Sequence, residues 1–179
     1  MALFTVDLGR VLKIKSSRPI FTCDLEDWHH GLHVNKGNHS SIKSVWWLQY
    51  KLNQYKVRAV FYVLGQFSDE WPGKVDSLRS EGHVIKSHGQ YHYANEEADR
   101  KPYSWLGFTG GFYFRALPYW FIKWQVELNN QFYIHPHDLD EEHPQLRNKF
   151  LDWKRHIGLK QSRMKLERLL QEVKWDDPS

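Results

Sequence analysis

An α/β fold built on parallel strands is what this 179-residue sequence predicts, on three observations. Short apolar runs alternate with stretches of helical periodicity. Two of those runs flank a helix, which is the pattern of a βαβ unit. Asp24, His88 and His135 each fall just past the C-terminal end of a predicted strand, the edge where parallel α/β folds assemble their sites.

Taken in order, Pro19 to Cys23 reads as a buried strand, and Ile42 to Tyr55 as a helix with Ile42, Val45, Trp46 and Leu52 on one face. Val57 to Leu64 is a second buried strand. Trp71 to Ser80 is a helix closed by Gly82, and His83 to Ser87 is a third strand. The stretch from Ala94 to Phe112, polar first and then rich in Gly and aromatics, reads as a loop. Leu117 to Leu128 is helical, and Gln131 to Ile134 is a fourth strand that ends at His135-Pro136-His137. Leu166, Leu169, Leu170 and Val173 mark an amphipathic terminal helix.

Composition narrows the classes. One domain over residues 1–179 is the simplest organisation, and 41% apolar residues can build a core. The net charge of +4 is spread out, with Lys154-Arg155 and the stretch Arg163 to Arg168 locally basic. Aromatic residues do not interleave with those cations as on a base-stacking platform, so no nucleic-acid partner is expected. The single cysteine, Cys23, excludes an internal disulfide and is expected to be buried. Asp7 and Arg10 interrupt any N-terminal signal-like run, and no apolar run is long enough to span a bilayer. The expectation is a soluble, cytoplasmic chain with no membrane partner. The 16% aromatic content, with nine Trp, offers faces for sugar rings, although core packing accounts for most of them.

His88 and His92 in Ser87-His88-Gly89-Gln90-Tyr91-His92 turn to one side on a helical turn or a tight loop. With a carboxylate from Asp24-Leu25-Glu26-Asp27 they make a two-imidazole, one-carboxylate set that holds Zn²⁺ and leaves a position for water. In a chain with 11 histidines the HxxxH spacing alone says little.

The motifs together resemble a known family. Asp24-Leu25-Glu26-Asp27-Trp28-His29, Val57 to Gly65, Glu81 to His88 and Phe132-Tyr133-Ile134-His135-Pro136 are similar, in order and spacing, to the successive motifs of the polysaccharide deacetylases, the NodB-homology carbohydrate esterases. Gly110 to Trp120 and the tail around His156-Ile157-Gly158-Leu159 resemble the later part of a bacterial branch associated with exopolysaccharide loci.

The resemblance implies a distorted (β/α) barrel, here shortened, and metal-dependent hydrolysis of an acetamide, or less often an acetate ester, on a sugar. A divalent ion, Zn²⁺ by its ligand types, would be held by His88, His92 and either Glu26 or Asp27. Asp24 would be the general base and His135 the acid that protonates the leaving amine. Trp28 and Tyr91 are the candidate sugar-contacting rings. His29, His30 and His33 read as exposed loop histidines, and His83 as structural. His137 and Asp138 either orient His135 or face water.

One departure is clear. Only sixteen residues separate Tyr93 from Gly110, where family members carry further strands and helices, including an RxP motif whose Arg steadies the base. Arg115-Ala116-Leu117-Pro118 resembles that motif, but its surroundings match a later segment and no role is carried over. Without the segment the last strand is expected to pair somewhere new and to leave an edge open, which a homodimer could cover. The alternative to an active deacetylase is a catalytically impaired carbohydrate-binding or scaffolding protein.

Overall fold

The computed structural model describes residues 18–30, 39–91, 99 and 108–179. His33, His92 and most of the expected loop from Ala94 lie outside those residues. The elements run β1 (Ile20–Leu25), α1 (Ile42–Gln54), β2 (Ala59–Val63), α2 (Gly65–Glu70), α3 (Pro72–Ser80), β3 (Val84–Ser87), α4 (Gly111–Ala116), α5 (Tyr119–Asn129), β4 (Gln131–Ile134), a 3₁₀ turn (Pro136–Leu139), α6 (Lys149–His156) and α7 (Leu159–Glu172). All four strands are parallel, in the order β3-β2-β1-β4.

That order explains where the helices go. From β1 through β2 to β3 the chain advances in one direction, and right-handed crossovers then put every connecting helix on one face. Phe21, Cys23 and Leu25 of β1, Ala59, Phe61 and Val63 of β2, and Phe132 and Ile134 of β4 point to that face. They pack against Val45, Leu48 and Leu52 of α1, Leu78 of α3, Phe114 of α4, Ile122 of α5 and Leu166 and Leu169 of α7. Each such side chain, fully buried, contributes about 1.5–3 kcal/mol.

The last strand corrects one expectation. β4 does not find a new neighbour: it pairs with β1, Phe21 against Phe132 and Cys23 against Ile134, the place that the closing strand of a (β/α) barrel takes. The described residues thus form an arc, the opening strands plus a closing one, with β3 and β4 as its edges. The opposite face presents Ile20, Thr22, Val60, Tyr62, Val84 and Lys86 around a cavity of ≈ 320 Å³.

Three helices are absent from the sequence reading for local reasons. α2, over Gly65–Glu70, is a separate short helix ahead of the predicted helix from Trp71, which forms as α3 with Pro72 in its first turn, where no N–H is needed. α5 starts at Tyr119 rather than Leu117, since a residue before proline is pushed to extended backbone and Leu117 has ψ 158. α4 and α6 are short, and α6 buries no residue, so it has no apolar stripe to read. Gly110 bridges to Tyr133, and a Cβ there would lie 1.8 Å from the Tyr133 carbonyl oxygen, so only glycine lets α4 start against β4. Among the described residues no helix is long and apolar enough to cross a membrane.

Candidate active site

β1 alternates, so with Phe21, Cys23 and Leu25 in the helix-side core, Asp24 faces the other way at the strand's C-terminal end. Its carboxylate is fully buried. His88 follows β3 and continues the ladder, its N–H donating to the Val63 carbonyl at 2.9 Å. His135 follows β4. The three strand ends bring the side chains together: Asp24 Oδ2 lies 4.0 Å from His88 Nε2 and 3.6 Å from His135 Nε2. Glu26 Oε1 lies 3.9 Å from the same His135 nitrogen and is itself buried.

Asp27 turns elsewhere. Its carboxylate accepts from the backbone N–H of Trp28 at 2.7 Å and of Ser41 at 2.8 Å, and from the Ser40 hydroxyl. It ties the loop after β1 to the start of α1, where negative charge meets the helix N-terminus favourably. Of the two carboxylates left open for the metal, Glu26 is therefore the one that faces the site. Trp28 is also corrected: at 5% exposure, with its indole N–H donating to the His39 carbonyl at 3.3 Å, it packs inside and offers no open face to a sugar. Tyr91 is 46% exposed and stays accessible.

His135 has a support that the sequence left open. Its Nδ1 lies 3.0 Å from Asp138 Oδ2, and the same carboxylate oxygen accepts the His135 backbone N–H at 3.0 Å. The other oxygen of Asp138 accepts from Arg115 Nε at 2.9 Å. Arg115 spends its remaining donors on the carbonyls of Lys154, Arg155 and Ile157, the open end of α6. Arg115 is the residue that sequence reasoning passed over. It stands far from Asp24 in the chain and its contact is with Asp138, not with the base, in keeping with the RxP role not being carried over to it.

This arrangement fixes protonation states. Burial alone would lower the pKa of His135, but the Asp138 hydrogen bond and charge, with Asp24 and Glu26, outweigh it and raise the value to about 9. Burial would raise Asp138, yet the hydrogen bond to His135 and the charges of Arg115 and His135 hold its carboxyl well below the usual range. His137 stacks on His135, ring centroids 4.7 Å apart, and burial keeps it neutral. At neutral pH His135 is a cation beside the Asp24 and Glu26 carboxylates, which is the state a general acid needs.

Glu26 and His88 are a carboxylate and an imidazole, the donor types that a divalent ion takes. Among the described residues, three-donor groups within 4.8 Å occur at His29, His30 and Glu70 and at His135, His137 and Asp138. His29 and His30 are buried, a correction to their reading as exposed loop residues. His30 Nδ1 accepts the Asp27 N–H at 3.1 Å, so the neutral ring carries its proton on Nε2, 3.6 Å from Glu70. A protonated Nε2 has no lone pair for a metal. His83, at the start of β3, accepts the Ala59 N–H on Nδ1 at 3.2 Å.

Comparison with known proteins adds two findings. Residues 92–179 match a family model described as a domain of unknown function, DUF3473, which takes in Arg115, His135 and Asp138 but not Asp24, Glu26 or His88. A solved structure, the Bc1960 peptidoglycan N-acetylglucosamine deacetylase in complex with 4-naphthalen-1-yl-N-oxidanyl-benzamide, is 20% identical with a TM-score of 0.32. The match covers 67% of this chain and 56% of that one, so the chain spans little more than half its length. No curated protein matches. In its motifs the chain resembles the polysaccharide deacetylases, and its second half matches DUF3473.

Proposed function

We propose that the chain is a metal-dependent hydrolase that removes acetyl groups from N-acetylated sugars of a poly- or oligosaccharide. The observation that carries this reading is the fully buried Asp24 set between His88 and His135 at the C-terminal edge of the sheet, 4.0 and 3.6 Å from their nitrogens. A divalent ion would be held by His88 and Glu26, with His92 as the third ligand. When bound it supplies a polarised acetyl carbonyl and a water of lowered pKa.

The chain's own residues do the rest. Asp24 takes the proton of the attacking water. His135 enters protonated, held in orientation by Asp138, and gives its Nε2 proton to the nitrogen that leaves as the amine. Arg115 keeps Asp138 charged and stationary, so the imidazolium is not lost before the bond breaks. The sugar approaches from the cavity beside His135.

The test is acetate release from N-acetylated oligosaccharides by metal-free and Zn²⁺-loaded protein, with a His88→Ala, His92→Ala double variant. Zn²⁺-dependent release that the double variant loses is expected. A folded wild type that neither binds Zn²⁺ nor releases acetate overturns the hydrolase and leaves a protein that at most binds carbohydrate.

A further inference from the structure

The cavity beside His135, ≈ 610 Å³ in volume, lies between α4, the end of β4 and α6, and its walls carry two kinds of side chain. Phe150 and Trp153, three apart on α6, stack at 29° with centroids 6.0 Å apart and are 67% and 52% exposed. An exposed aromatic pair at the rim of a cavity offers ring surface to the apolar face of a pyranose.

The second kind is cationic. Arg115, Lys154 and Arg155 line the cavity with His135, against the carboxylates of Glu26 and Asp138. Arg115 is fully engaged by Asp138 and the α6 carbonyls. Lys154 stands 5.9 Å from the Phe112 ring and is exposed. Arg155 differs from both. Its backbone carbonyl accepts from Arg115, and among the described residues its half-buried guanidinium makes no hydrogen bond or ion pair. Asp138 and Glu26 act on it through charge at longer range alone.

A half-buried guanidinium in a cavity, with its donors uncommitted, is the group that grips a planar carboxylate by two parallel hydrogen bonds. Resting on the deacetylase reading of the neighbouring residues, we propose that this cavity selects acidic glycans, binding the carboxylate of a uronic acid on Arg155 while an adjoining sugar stacks on Phe150 and Trp153. The proposal gives the substrate class that the catalytic residues alone do not specify. An N-acetylated sugar beside a uronic acid would put the acetamide at His135 and the carboxylate at α6.

The experiment compares, by calorimetry on the full chain, a hyaluronan hexasaccharide, in which N-acetylglucosamine alternates with glucuronate, with neutral chitohexaose. About 10-fold tighter binding of the acidic glycan is expected from a charge-assisted bidentate contact. Arg155→Gln should bring the two affinities within about 2-fold while leaving chitohexaose unchanged, and Arg155→Lys should keep only part of the preference. The Lys variant serves where the Gln variant fails to fold. Equal binding by the wild type, a preference that survives Arg155→Gln, or binding of neither glycan by folded protein overturns the proposal. Because the readout is binding, an inactive protein that still prefers the acidic glycan sinks the hydrolase and not this inference, whereas acetate release with equal binding does the reverse.

Discussion

The two ends of β3 carry one histidine each, and the chain uses them in opposite ways. His83, at the N-terminal end, faces a backbone N–H of the neighbouring strand and is closed off against Phe61. Burial, helped by the charge of Arg58 and opposed by Glu81, lowers its pKa to about 4. His88, five residues on, stands at the C-terminal end opposite a buried carboxylate. One imidazole is a piece of the core that happens to be polar. The other belongs to a group of charges that the fold keeps together at a cost in solvation, which a protein sustains where chemistry needs it. Strand polarity separates the two roles: in a parallel sheet all C-terminal ends lie at one edge, so Asp24, His88 and His135 meet there without being near in sequence.

The largest effect should come from the C-terminal edge. Asp24→Asn removes the base but keeps the shape, and acetate release should fall by ~10²–10⁴-fold, the usual contribution of a general base. Its melting temperature should not drop, because the substitution takes a charge out of a buried place. A melting temperature lowered by many degrees with activity retained would make Asp24 a structural residue like His83.

Arg115→Leu probes the support beneath that edge. It leaves Asp138 charged, buried and without its guanidinium partner, and strips three carbonyls at the end of α6, those of Lys154, Arg155 and Ile157, of a donor. Breaking one side of a buried pair costs about 3–5 kcal/mol. Denaturant unfolding would show it. A cost under about 1 kcal/mol would mean that water replaces the guanidinium and that His135 is held by Asp138 alone.

The N-terminal end of β3 should show itself through pH. The folded-state pKa of His83, about 4, lies below the ordinary 6.5, so the unfolded chain binds the proton more readily. The resulting stabilisation is complete above pH 6.5 and is lost as pH falls from there towards 4. The shift corresponds to roughly 3 kcal/mol. His83→Leu should remove that slope from the unfolding free energy between pH 6.5 and 4 and leave acetate release at neutral pH unchanged. A slope unaltered by the substitution would assign acid sensitivity to other histidines, His143 first, whose burial also lowers it to about 4.

How much of this was legible in the sequence follows from the range of the signals. Strands with apolar runs and helices with a buried stripe were readable, down to the bounds of β4 at Gln131 and Ile134. The strand-end positions of Asp24, His88 and His135 were readable too, because strand direction and boundary are local. What failed was anything set by a distant partner. Asp27 looks like a ligand beside Glu26 until Ser40 and Ser41 arrive to take its oxygens. Trp28 looks like a sugar platform until His39 and His143 close over it. Arg115 meets Asp138 across 23 residues, and nothing in the spacing announces it. α6 buries nothing, so only its cap could have revealed it.

That cap gives the smallest and most local test. Asn148 accepts the N–H groups of Phe150 at 3.0 Å and Leu151 at 3.1 Å, satisfying two of the four donors that a helix start leaves open. Asn148→Ala should cost about 1 kcal/mol by thermal unfolding. Its consequence for function runs through position rather than chemistry. α6 is clamped at its other end by Arg115, with Trp153 between the two fastenings and Arg155 at the second. Loosening the first turn should therefore raise the KM for an acidic oligosaccharide severalfold with kcat nearly unchanged, since Asp24, His88 and His135 stand on other elements. A fall in kcat instead, at equal stability, would mean that α6 and the strand ends move as one unit, with Arg115 as the link between them.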